Sequence, residues 1–138
     1  MYCMITNDQL AKSHFELVGG QAAVDRIVDT FYLRMETLPE AASVRALHPP
    51  DLNRSKAVLK EYLAEWLGGP PLYSQARGHP RLRMRHLPFR IGALERDAWM
   101  LCMTGAMREV VGPNRLCEFL LQMLSKTAHW MRNDDLAR

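Results

Sequence analysis

The sequence predicts an all-α fold on three observations. Leu and Met together number 28 against 10 for Val and Ile, and unbranched or γ-branched side chains lose little rotamer freedom in a helix, whereas β-branched ones favour strands. Apolar residues recur every three or four positions over long segments, the period of a helix with one buried stripe. Gly and Pro clusters at 19–20, 49–50, 68–71 and 112–113 separate those segments, and such clusters end helices abruptly. At 138 residues, 48% apolar and 24% charged, residues 1–138 read as a single domain with its own core, neither disordered nor fibrous.

Taken in order, residues 1–12 read as an N-terminal extension, and a short first helix ends at Gly19-Gly20. Val24, Ile27, Val28, Phe31, Met35 and Leu38 then form one stripe on a helix near 21–37. Pro39 suits a first helical turn, where its missing N–H is not needed, so 40–47 makes two turns that stop at His48-Pro49-Pro50. Asp51 is the expected N-cap of a helix running to Leu67, with Leu52, Leu59, Tyr62, Leu63 and Trp66 on one face. Over 72–88, Gly78, Pro80 and Pro88 permit only short helical turns within an ordered loop. Helical spacing resumes over 92–111, through Leu94, Ala98, Leu101, Cys102 and Gly105. It returns after Gly112-Pro113 as far as Met131, through Leu116, Phe119, Leu120, Met123 and Leu124. Both last helices are expected to bury a wide face, and 133–138 to fray as a tail.

Composition excludes several classes of function. The longest unbroken apolar run is the six residues 98–103, far short of the ~20 needed to span a bilayer. Met1 to Ile5 has no preceding positive charge and gives way at once to polar residues, so no secretory signal is read and the expected compartment is the cytosol. Cys3, Cys102 and Cys117 are odd in number and widely spaced, which suits reduced thiols, and no spacing of a structural zinc site occurs. The net charge of +3 is mild, but its distribution is not: no acid occurs between Glu65 and Glu95, a stretch that holds Arg77, Arg81, Arg83, Arg85 and Arg90 with His79 and His86. A negatively charged group is expected there. His86 alone, flanked by Met84, Leu87 and Phe89, is the pattern of a core histidine. Arginines at the alternate positions 81, 83 and 85 suit a ligand with an apolar body and an anionic edge, such as haem with its propionates. They equally suit nucleic acid, with arginines on phosphates and Tyr73 or Phe89 stacked on bases. Residue chemistry leaves both readings open.

Particular blocks narrow the choice. Val18-Gly19-Gly20, Phe31-Tyr32-Leu33-Arg34-Met35, Trp66-Leu67-Gly68-Gly69-Pro70, Gly78-His79-Pro80-Arg81-Leu82-Arg83-Met84-Arg85-His86, Pro88-Phe89-Arg90-Ile91 and Glu95-Arg96-Asp97-Ala98-Trp99 resemble the group II truncated haemoglobins, in matching order over about residues 13–107. The resemblance implies a truncated globin: a two-over-two helical sandwich with a shortened first helix and an F helix reduced to a loop plus one turn. It implies one b-type haem (heme b) with His86 as the proximal iron ligand, and makes Arg85, Arg83 and Tyr73 candidates for the propionates. Met84, Phe89 and Leu59 would supply apolar contacts. On the opposite face, Tyr32 and Trp99 would donate hydrogen bonds to bound dioxygen. His48 could donate as well, hold Tyr32, or ligate iron itself, and Ser55, small where ordinary haemoglobins carry a distal histidine, would leave an entry path. The implied function is reversible binding of dioxygen, carbon monoxide or nitric oxide at ferrous iron, without nucleic acid or membrane. An alternative is a redox enzyme acting on nitric oxide or peroxide. No flavin or dinucleotide motif occurs in the sequence, so turnover would need an external reductase.

Overall fold

The computed structural model describes residues 12–134. Residues 1–11 of the expected extension 1–12, Cys3 among them, and residues 135–138 of the expected tail lie outside the described residues. Among the described residues the fold is all-helical: α1 (His14–Val18), α2 (Gly20–Thr37), a 3-10 turn (Pro39–Ala41), α3 (Ala42–Arg45), α4 (Asn53–Trp66), α5 (Leu72–Arg77), α6 (Leu82–His86), α7 (Ala93–Val110) and α8 (Arg115–Trp130). The helix α2 packs on both α4 and α7, and α7 packs on α8. The α2/α4 pair thus lies over the α7/α8 pair as a two-over-two sandwich. No described helix is long and apolar enough to cross a membrane.

The stripe expected on α2 is the centre of the core: Val24, Ile27, Val28 and Phe31 are fully buried, in one cluster with Cys102, Met103, Ala106 and Met107 of α7 and Leu120 and Leu124 of α8. The ends follow local chemistry. Ser13 Oγ accepts the Glu16 N–H at the start of α1, and Asn114 Oδ1 accepts the Cys117 N–H at the start of α8. Each satisfies a backbone donor that the first turn cannot. Gly19 closes α1 at φ 120°, backbone that a side chain rarely adopts.

Three expectations need correction. Asp51 does accept a backbone hydrogen bond, from Asn53 at 2.8 Å, but the cap position falls one residue later, on Leu52. Leu94, Leu101 and Phe119, which the spacing assigns to buried faces, are 58%, 41% and 46% exposed, because each lies off the stripe that meets the neighbouring helix. The short helical turns expected within 72–88 are α5, six residues long, and α6, five. Finally, Asn133 and Asp134, expected to begin a frayed tail, are anchored: both backbone N–H groups donate to the Ile91 carbonyl, at 2.9 and 3.1 Å.

Candidate functional site

The site is built on α6, on the end of α2, and on the corner after α3. Pro80 precedes α6 and Arg81 enters it in left-handed backbone, φ 47°. The Arg81 N–H donates to His79 Nδ1 at 3.0 Å, so His79 shapes the loop. One helical turn then carries His86, whose Nδ1 lies 2.6 Å from the Leu82 carbonyl. A carbonyl only accepts, so Nδ1 carries a proton, and in the neutral ring the lone pair is then on Nε2. Met84, Leu87 and Phe89 around it are 53%, 57% and 43% exposed, an apolar surface that needs a cover.

Opposite sits an aromatic group. Tyr32, on α2, is buried, with its ring 4.9 Å from Phe31 and 5.7 Å from His48. Trp99, nearly two turns into α7, packs on Phe31 at 5.1 Å. It is placed by the start of its helix, where buried Glu95 accepts the Gly92 N–H at 2.8 Å. Burial pushes the Tyr32 phenol far above its ordinary value, so it keeps its proton throughout the physiological range. His48 Nδ1 lies 2.9 Å from the Val44 carbonyl. Its pKa is lowered, chiefly by burial; the Val44 hydrogen bond opposes this, while Arg45 and His86 add repulsion. Ser55 and Leu59, a turn apart on α4, are half-buried.

Tyr73, on α5, is buried, with the Arg85 guanidinium 6.0 Å over its ring. Arg83 does not share that setting. One of its nitrogens donates to the Trp130 carbonyl and to that of Arg132 at 3.0 Å, and its guanidinium lies over the Trp130 ring. Sequence reasoning missed the anchors of α5: the Ser74 N–H donates to Glu65 at 2.8 Å, and Arg77 pairs with Glu61 at 2.7 Å. It also missed Asn133, whose amide Nδ2 donates to the carbonyls of His86 and Phe89.

Comparison with known proteins decides the family. Residues 13–133 match the sequence model of the bacterial-like globins. The chain is 41% identical to the group 2 truncated haemoglobin YjbI of Bacillus subtilis over 114 residues, 83% of this chain and 84% of that protein. This chain belongs to the group II truncated haemoglobins. Solved structures agree. The group II 2-on-2 haemoglobin of Agrobacterium tumefaciens superposes with a TM-score of 0.88 at 42% identity, over 91% of this chain and 97% of that one. The truncated oxygen-avid haemoglobin of Bacillus subtilis gives 0.80 at 39% identity, over 88% and 100%. Membership of the truncated haemoglobins implies haem, and the residues present suit it. A neutral imidazole offers one lone pair, exposed Met84, Leu87 and Phe89 offer apolar cover, and Arg85 offers a cation for carboxylates.

Proposed function

We propose that this truncated haemoglobin holds one b-type haem through His86 Nε2 and binds dioxygen reversibly, with carbon monoxide and nitric oxide as competing ligands. The observation that carries the reading is the short His86 Nδ1 to Leu82 carbonyl contact, 2.6 Å. It fixes the ring's tautomer and orientation and raises the basicity of the other nitrogen. Bound haem would supply a ferrous iron with one coordination position open to a diatomic gas. The chain's part is to hold and to discriminate. Tyr32, protonated and buried, offers an O–H, and Trp99 an indole N–H, to the partial negative charge that dioxygen acquires. Each donor contributes about 1 kcal/mol net, so two together retain the ligand tenfold or more longer. His48, uncharged and with its proton turned to Val44, has no N–H left to donate to the ligand and packs edge-on against the Tyr32 ring. Leu59 adds apolar bulk, Ser55 leaves an entry path, and Arg85 and Tyr73 face the propionates. Such retention suits chemistry on the ligand better than bulk delivery. The oxygen-avid relative from Bacillus subtilis supports that reading, and the free buried thiols of Cys102 and Cys117 are compatible with the cytosol.

The test is the absorption spectrum of the ferric and ferrous protein, with and without carbon monoxide, for the native chain and His86→Ala. The native chain is expected to show a haem–carbon monoxide band, and His86→Ala to lose its haem on gel filtration. A variant that keeps a five-coordinate ferrous spectrum without added imidazole would overturn the assignment.

A further inference from the structure

The helix that carries His86 is only five residues long, and an isolated helix of one turn has no stability of its own in water. The loop after it contains Pro88 and gives the His86 carbonyl one local donor, the Phe89 N–H at 3.0 Å, but leaves the second lone pair of that carbonyl, the Phe89 carbonyl and both polar groups of Ile91 to be satisfied from outside. Asn133 satisfies them together. Its Nδ2 donates to the His86 carbonyl at 3.1 Å and to the Phe89 carbonyl at 2.8 Å, and its Oδ1 accepts the Ile91 N–H at 2.9 Å. Its own N–H, with that of Asp134, donates to the Ile91 carbonyl. The lacing also runs the other way: Arg83, three residues before His86, donates to the carbonyls of Trp130 and Arg132, and Arg90 pairs with Asp134.

From this we infer that Asn133 is a positioning residue for the proximal histidine. The segment that follows the last helix is a latch, and Asn133 is its pin. It holds the backbone of 86–91 so that the His86 ring stands at one angle and one height, and it thereby sets the iron–imidazole bond and the retention of haem. The inference rests on His86 being the iron ligand. No local pattern announces it, since Asn133 reaches across 47 positions to His86.

Two substitutions separate the amide's arms. Asn133→Ala removes them all, whereas Asn133→Asp keeps the oxygen that faces the Ile91 N–H and removes the donor to the two carbonyls. The readouts on the haem-loaded chain are the iron–histidine stretching band of the unliganded ferrous protein, by resonance Raman, and the rate at which haemin passes to apomyoglobin. A third readout needs no haem: amide hydrogen exchange of residues 86–91 in the haem-free chain. Both variants are expected to shift or broaden the band, lose haemin about tenfold faster and exchange 86–91 faster, with exchange in the α2 and α7 core unchanged. A band, haemin loss and exchange identical to the native chain in both variants would overturn the latch. His86→Gly distinguishes the two readings, because its band must vanish and return with imidazole. If the band persists there, the ligand assignment fails whatever Asn133 does. If it vanishes there but is unmoved in both Asn133 variants, the latch alone falls.

Discussion

At the scale of single residues, the proton on His48 has the largest consequence. The residue sits where sequence allows three roles toward the site, and its environment separates them. With Nδ1–H committed to the Val44 carbonyl, Nε2 can donate only if the ring gains a second proton, and burial opposes that proton. The same shift ties stability to pH. The folded-state pKa lies below the unfolded value of about 6.5, so as pH falls through 6.5 the unfolded chain takes up a proton that the folded chain refuses, and stability drops. His48→Phe removes that uptake. Between pH 7.5 and 5.5 its urea midpoint should therefore fall less than that of the native chain, and equal falls would contradict the neutral assignment. Tyr32, Trp99 and His86 enter the candidate site through blocks specific to the family. Asn133 was not legible, because an asparagine's hydrogen-bond partners across 47 positions leave no trace in local pattern.

Among the elements, the long helices were legible to within about a residue, since each is a stripe bounded by Gly or Pro. Of the short ones, α1 and the turns over 40–47 were legible from their Gly and Pro stops, whereas the bounds of α5 and α6 were not. No local propensity dictates α5; it is held from α4 by Glu65 on Ser74 and by Glu61 on Arg77. Likewise, the turn before α6 depends on His79 accepting from Arg81. The glycine pair after α4 shows how tightly these joints close. The Gly69 N–H donates to the Ala64 carbonyl at 2.9 Å, and a Cβ at Gly69 would stand 2.5 Å from the Phe15 ring and 2.9 Å from that carbonyl oxygen. Gly69→Ala should therefore cost about 1–3 kcal/mol, read as a lowered urea midpoint. An unchanged midpoint would mean that α1 can swing away freely.

On the scale of the whole molecule, α2 crosses α7 at the centre of the core and leaves α6 at the periphery. The core can thus fold while the segment around His86 depends on what it grips. Haem that binds only the folded chain adds about 2.7 kcal/mol when present at a hundredfold over its dissociation constant. Stripping it should lower the thermal midpoint by about 10 °C, and exchange protection should fall most over 82–91. Equal midpoints with and without haem would show that the cofactor does not couple to folding. The latch carries a further implication for biosynthesis. Residues 132–134 are translated long after 82–91, so while the chain is still growing on the ribosome the proximal loop has nothing to fasten it. Secure capture of the cofactor is therefore a late event, completed only once the final helix has left the exit tunnel.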